Sequence, residues 1–519
     1  MHRSFFLTLS FIFVGGFVLA TYLAADDGVQ LAPEATARQV AEELLSQSQA
    51  EDLRFRNLVL DGLGQAHLRF DQTHAGIPVL AGQIIVHVDL DSREVLGITD
   101  ARKPVGAVAT QPAIRAKAAE RRVRTEIGIG GKLTATTERL IYVAIEQTHL
   151  IWRVNLLGFD RHQLPADWIG LVDAHTGDLL LSYDNLHTKR TPPPPLPTEG
   201  TPTIGDAYTL YNGPVALPTE AYVDGTFGMR DPTRGGNYTT DMLDMRTGDG
   251  ELFTDTDNQW GDASTMDRAT AGADAHYATA ATWDYYQQIH GRDGVFDNGE
   301  GVLSRVHFGR EYVNAYWSDA CQCVTYGDGD GQMASPLVAV DIVAHELTHG
   351  VTSATADLIY FGESGGLNES MSDIFATAVE FFAGSTADPP DYWLGEEVWT
   401  PEVPDDALRY MDDPTLDGHS IDHYSQYTPG MNVHYSSGLA NHVFYLLSES
   451  GTNATSGQFV PGIGRHEAEQ VFYRALTAYM TPDTDFAGAR DATVRAAQDL
   501  YGDAVADIVT ATWAACGVE

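Results

Sequence analysis

Cysteine is scarce, with three residues in a chain of 519, and this excludes a scaffold built from disulfides. Cations are scarce too. Against 72 Asp and Glu stand 31 Lys and Arg, a formal charge of −41. Nothing here could neutralise a run of phosphates, so nucleic acid is excluded as an expected partner. The shortage is uneven. Residues 191–519 hold 12 Arg, no Lys and 50 Asp and Glu, whereas residues 1–190 hold 19 Lys and Arg against 22 Asp and Glu. Surfaces this different mark parts of the chain with different fates. Beyond the N-terminus no apolar run is long enough to suggest a membrane span. What is present, 43% hydrophobic and 10% aromatic residues, suffices for real cores, and the length allows roughly two to four domains.

The N-terminus carries Arg3 and then a mostly apolar run, Phe5–Leu19, ending in Val18-Leu19-Ala20. That pattern predicts a removable export signal over residues 1–20 and a secreted product with no membrane anchor. From there to about Asn185 the chain reads as α+β. Helical spacing covers Ala35–Ser46, and strand patterns cover Gln83–Leu90, Ile141–Ala144, Ile151–Leu156 and Trp168–Val172. Thr191-Pro-Pro-Pro-Pro-Leu-Pro197 can enter neither helix nor sheet core. It coincides with the charge shift and marks a boundary, a linker over 188–204. Short strands and turns are expected from about Gly205 to Arg310. Helical signals begin at Ala271–Ile289 and dominate after Asp341.

The chemistry concentrates in Val338-Ala-Val-Asp-Ile-Val-Ala-His-Glu-Leu-Thr-His-Gly-Val-Thr352. Apolar spacing and the lack of Gly or Pro over 337–349 predict a helix. His345 and His349, four apart, then share one face. Two imidazoles so placed can hold one Zn²⁺, with Glu346 beside it as general base. Such a string arises by chance about 0.04 times in this composition, so it needs support. Glu369, in Gly365-Gly-Leu-Asn-Glu-Ser-Met-Ser-Asp373, supplies it, being far enough on for a return helix to bring its carboxylate back. Two His and one Glu leave a fourth position open, the arrangement of a catalytic zinc. Asp373, one turn later, is placed to accept the outer N–H of a ligating histidine.

With these motifs the sequence resembles the thermolysin family of secreted zinc endopeptidases, in the pattern of its pseudolysin and vibriolysin group. The likeness covers roughly residues 205–515. The preceding region resembles the family's prosegment: a first module over 21–110, containing His67-Leu-Arg-Phe-Asp-Gln-Thr-His74, and a PepSY-like module over 111–187, ending in Trp168-Ile-Gly-Leu-Val-Asp-Ala-His-Thr-Gly177. The resemblance implies two α+β prosegment modules, then a catalytic unit with a β-rich N-terminal lobe (205–350) and a helical C-terminal lobe (351–519). It implies zinc on His345, His349 and Glu369, with Glu346 as base. Tyr360 and His434 match the oxyanion donors. Asn314 and Ala315 match the strand that holds an extended peptide, and Arg409 the residue that grips its carbonyl. Ile342 and Leu408, with Leu337, match walls of an apolar pocket, implying cleavage before bulky apolar residues. Ala334 stands where an aromatic is usual, suggesting extra room there. Asn432 stands where the family places an acid beside His434; it can accept a hydrogen bond but cannot stabilise imidazolium.

Asp341 and Glu380 resemble structural Ca²⁺ ligands, with Asp391 and Glu396 as completions and Asp388 an alternative to Asp391. The resemblance further implies protein and peptide substrates, the chain's own prosegment as intramolecular chaperone and inhibitor, and a monomer once mature. Two Cys, in Ala320-Cys-Gln-Cys323, lie in a short insertion. They could pair with each other, bind a soft metal or stay reduced, or one could pair with Cys516. Two rival readings are a zinc aminopeptidase, whose Gly-x-Met-Glu-Asn motif is absent, and a catalytically silent peptide-binding homologue, against which the intact base and ligand set argue.

Overall fold

The computed structural model describes residues 33–47, 52–145, 147–161, 164–185 and 200–519, with the backbone of 12–14 and 17–19. The expected signal cleavage point at Ala20 and the polyproline run 191–197 lie outside the described residues. The chain divides into two compact units, one of residues 1–76 and 82–102, the other of 77–81 and 103–519.

In the first unit, helix α1 (Pro33–Gln47) covers a β-sheet that includes Leu53–Leu60, Gln65–His74 and Val95–Asp100. Ala37, Ala41 and Leu45 recur every fourth residue and form one stripe. They meet Ala66, Leu68, Phe70, Ile84, Val86 and Val88, which alternate along two strands and so share one sheet face.

The second unit begins with helix α2 (Ala116–Ile127) on an antiparallel meander of Gly131–Val143, Thr148–Asp160, Pro165–Asp173 and Leu179–Asp184. Ala119 and Val123 of α2 bury against Val154, Leu156 and Val172. Gly170 permits this approach, since a Cβ there would lie 2.4 Å from Val123. After residue 200 come a five-stranded and a six-stranded sheet, the latter ending in edge strand Ala315–Ser318. Helix α3 (Arg268–His290), capped by Asp267, packs beside them.

Helix α4 (Val340–Ala354) buries Val340, Val343, Ala344, Leu347 and Val351, the spacing of one helical face. It starts three residues later than the absence of Gly and Pro suggested, because Pro336 and the extended Ala339 precede it. Helix α5 (Gly362–Ala383) packs on α4. Gly365 and Gly366 lie within its first turns, where Val433 and Ser436 would clash with a Cβ at 2.5 and 2.4 Å. Helices α6 (Val433–Ser436), α7 (Gly438–Glu449), α8 (Arg465–Arg474), α9 (Phe486–Tyr501) and α10 (Asp503–Ala515) complete the C-terminal lobe. One core runs through both lobes, from Trp317 and Val343 through Phe375 and Phe444 to Trp513. Among the described residues no helix is long and apolar enough to cross a membrane.

Candidate active site

Four residues apart on α4, His345 and His349 bring their Nε2 atoms within 3.1 Å of each other. Glu369, returned by α5, places Oε2 3.5 Å from the first and Oε1 3.5 Å from the second. These separations match the roughly 3.3 Å edge of a tetrahedron of ligands about 2 Å from a shared ion. Glu369 is fully buried and its Oε2 accepts no hydrogen bond among the described residues. A buried carboxylate oxygen stays without a donor only when something else compensates its charge. The donor set, two imidazoles and one carboxylate, therefore fits Zn²⁺.

The opposite ring nitrogens are fixed, which leaves both Nε2 atoms for a metal. His345 Nδ1–H donates to Asp373 Oδ1 at 2.8 Å. His349 Nδ1–H faces Asn368 Oδ1 at 2.7 Å, and the Asn368 amide is oriented by donating to the Leu358 carbonyl at 2.9 Å. Asp373 also accepts from Arg409 Nε and Nη2, at 2.8 and 2.7 Å, and from Asn441 Nδ2 at 2.8 Å. Burial alone would raise its carboxyl, but the Arg409 guanidinium and His345 hold it well below the usual carboxylate range. Arg409, expected to grip substrate, is thus committed through two nitrogens to Asp373 while it still lines the cleft.

Glu346 projects beside the ligands, and its Oε2 accepts the Trp317 N–H at 2.8 Å. Burial pushes its carboxyl up to about 7; His345 opposes this and Glu369 reinforces it. Helix and strand come this close because residue 350 is glycine: a Cβ there would lie 2.6 Å from the Trp317 ring. Across the cleft the Tyr360 hydroxyl donates to Glu369 and lies 3.4 Å from His434 Nε2. His434 Nδ1 faces Asn432 Oδ1 at 2.9 Å.

These groups line a cleft of about 540 Å³ with Asn314 and Ala315 on one side and Leu337, Ile342, Leu394 and Leu408 on another. Ala334 is not among the lining residues. It is fully buried and bridges to Trp399, whose side chain lines the cleft instead. The room expected from Ala334 is therefore absent. Tyr183 and Asp184, from the end of the prosegment meander, lie in the same cleft, with the Tyr183 ring 5.5 Å from Phe361.

A second group of acids lies apart. Oxygens of Glu380, Asp388 and Glu396 approach within 4.8 Å of one another. Asp388, the alternative, joins this group; Asp391, which accepts the Trp393 N–H at 2.7 Å, adds its charge to Glu380 and Glu396 from beside it. Both carboxylate oxygens of Glu380 and one of Glu396 are buried without a hydrogen bond among the described residues. Burial and the neighbouring acids push Glu380 up to about 12 and Glu396 to about 9. Asp341 and Glu397 add charge nearby; Glu397 was not anticipated. An all-oxygen cluster that repels itself when empty fits Ca²⁺. Withdrawing calcium with a calcium-selective chelator, in a Glu346→Gln background that prevents autolysis, is expected to lower the melting temperature by roughly 10 °C. Calorimetry with and without the chelator checks this, and Glu380→Gln should abolish most of the difference.

Comparison with known proteins agrees with this geometry. The family models "Thermolysin metallopeptidase, catalytic domain" and "Thermolysin metallopeptidase, alpha-helical domain" match residues 204–353 and 356–518, and the Fungalysin/Thermolysin Propeptide Motif matches 51–93. The chain is 38% identical over 488 residues to the transglutaminase-activating metalloprotease of Streptomyces mobaraensis, covering 90% of this chain and 61% of that protein. It is 36% identical over 471 residues to the thermostable neutral protease NprT of Geobacillus stearothermophilus, covering 85% and 81%. Among solved structures, the precursor of protealysin from Serratia proteamaculans aligns at 30% identity with a TM-score of 0.45, covering 55% of this chain and 87% of its own. With both catalytic lobes matched and the metal-binding constellation intact, the chain belongs to the thermolysin family of zinc metallopeptidases.

Proposed function

We propose that the chain is the latent precursor of a secreted zinc endopeptidase that hydrolyses internal peptide bonds before bulky apolar residues. The observation that carries this is the convergence of three metal-ligating atoms, a buried carboxylate and two oxyanion donors beside the edge strand of a sheet in one cleft. Held by His345, His349 and Glu369, zinc supplies an acidified water and a Lewis acid for the carbonyl. The protein's own groups do the rest. An extended substrate aligns on Asn314 and Ala315 as an added strand, and its apolar side chain enters between Ile342, Leu394 and Leu408. Glu346 takes a proton from the attacking water on Oε1, since Trp317 holds Oε2, and later gives it to the leaving amine. Tyr360 and His434 donate to the developing oxyanion. Arg409 orients Asp373 and presents its remaining N–H groups to the cleft.

Casein digestion with and without phenanthroline, beside a peptide with a blocked N-terminus, tests the reading. Cleavage of the blocked peptide, abolished by the chelator and restored by zinc, is expected. An aminopeptidase would spare that peptide, and a silent homologue would bind casein without cutting it.

The prosegment accounts for latency, since Tyr183 and Asp184 occupy the ground a substrate needs. The proposed parts are a signal over 1–20, prosegment modules over 21–110 and 111–187, a processing linker over 188–204, and catalytic lobes over 205–350 and 351–519. Asn185, at the prosegment's end, donates through Nδ2 to Asp167 at 3.0 Å. Burial pushes the Asp167 carboxyl up to about 7, with Asn185 and Asn155 opposing. The unfolded value is about 3.9, so the folded prosegment binds more protons between the two. Its anchorage is fullest below about pH 4 and is lost as pH rises through about 7. In a Glu346→Gln chain that cannot cut itself, amide exchange in Leu179–Asp184, corrected for intrinsic rate, should quicken from pH 5 to pH 8. Asp167→Asn should flatten that response.

A further inference from the structure

The inserted Ala320-Cys-Gln-Cys323 is closed by a Cys321–Cys323 disulfide with the Cα atoms 5.1 Å apart, and the chemistry above makes no use of it. Its position gives it a role. Cys323 pairs with Ser318 at the closed end of the hairpin that carries the substrate strand; Trp317, Tyr316 and Ala315 follow, opposite Val324, Thr325 and Tyr326. Residues two apart on a strand turn their main-chain groups to the same side. The Trp317 N–H, bonded to Glu346 Oε2, therefore faces the same outer edge as the Ala315 groups that would meet a peptide. A slide or twist of this strand moves the substrate's grip and the catalytic base together.

The turn that fixes the strand is tied to the zinc helix as well. Asp319 accepts from the Trp317 indole N–H at 2.7 Å and from the Ser353 hydroxyl at 3.2 Å, Ser353 lying one turn beyond His349 on α4. Gln322, between the two cysteines, has φ 51°, a left-handed backbone that residues with a Cβ seldom hold unless their surroundings impose it. Arg305 braces the other side, with Nη2 2.7 Å from Thr325 Oγ1 and 3.6 Å from Cys321 Sγ.

We propose that the Cys321–Cys323 disulfide is a positioning clamp for the reaction, holding the register of strand Ala315–Ser318 and, through the Trp317 N–H, the place of Glu346. The proposal rests on the endopeptidase reading of the cleft. Cys321→Ser/Cys323→Ser, made in the full chain and allowed to mature, should lower kcat on an internally quenched peptide roughly tenfold, the scale of a small misplacement of reacting groups. KM should rise several-fold. Both are measured well below the melting transition, with zinc content and near-ultraviolet dichroism as in the parent. Parent-like kcat and KM, even with a lower melting temperature, would overturn the proposal and leave only a local staple. Should the double variant fail to mature, the mature parent is treated with a phosphine reductant and its zinc content confirmed. Activity should fall as the two thiols appear and return on reoxidation; full activity with both thiols alkylated would overturn the proposal. So would three reactive thiols in the denatured, unreduced parent, where only Cys516 should react. A parent that cleaves no peptide with zinc present fails the endopeptidase reading instead.

Discussion

Glu346→Gln should leave a protein that stays full length, binds zinc as the parent does and cleaves an internally quenched peptide roughly 10³–10⁴ times more slowly. The carboxamide has the same shape, and its oxygen can still accept the Trp317 N–H that Oε2 now accepts at 2.8 Å. None of the metal-ligating atoms on His345, His349 and Glu369 is altered. What disappears is the one buried group beside the ligands able to take a proton from water and carry it to the leaving nitrogen. Because the prosegment is taken to be removed by the enzyme itself, the same change should also stop maturation. Activity and zinc content on one preparation decide the matter. Retained activity would mean that another group serves as base.

Asp373→Ala should be the most damaging change outside the groups that meet substrate. This fully buried carboxylate accepts from His345, twice from Arg409 and from Asn441. Removing it strands a guanidinium whose side chain is only 13% exposed, and breaking a buried ion pair costs about 3–5 kcal/mol. It also frees the His345 ring, which typically costs about 10–100-fold in metal affinity. Asp373→Asn separates the two effects. It keeps the volume and should lose less stability, but it gives His345 a neutral partner, so zinc affinity should still fall. Denaturant titration gives the first quantity and competition with a chelating dye the second. Parent-like zinc affinity in both variants would show that Asp373 serves packing alone.

The zinc site was legible because its parts are local. His345, Glu346 and His349 sit within one helical turn, and Glu369 and Asp373 within the next helix, so period and spacing suffice to place them. The supports that hold these groups were not legible. Asn441 reaches Asp373 across 68 residues, and the Trp317 contact with Glu346 uses a backbone N–H that any residue type would supply. Asn368 and Ser372 are polar helix residues with no distinguishing pattern, and only the fold sets them beside the His349 ring. Asp388 and Asp391 are equivalent as text, and it is the path of the chain that sets the first within the tight group around Glu380 and the second beside it. The pocket reading at Ala334 failed for a related reason: that residue is buried, and Trp399, distant in sequence and bridged to its backbone, borders the cleft. At fold level, helix α1 and parts of the strands Ile77–Asp89, Gly131–Val143, Thr148–Asp160 and Pro165–Asp173 followed from periodicity, whereas Leu53–Leu60, Gln65–His74, Val95–Asp100 and Leu179–Asp184 did not. The seating of Tyr183 and Asp184 in the cleft is tertiary and left no mark on the sequence.

The missing side chain at position 350 bears on how this scaffold could be altered. The helix bearing both imidazoles rests directly on the Trp317 indole, so the spacing between metal and substrate backbone is set by one ring and belongs to the frame. Leu337, Leu394, Trp399 and Leu408 also border the cleft, and under the endopeptidase reading they are the walls a substrate side chain would meet. Leu337 and Leu394 are buried in the same core as Trp317, so on that reading selectivity is to be redrawn at the less buried Trp399 and Leu408, where the joint stays in register.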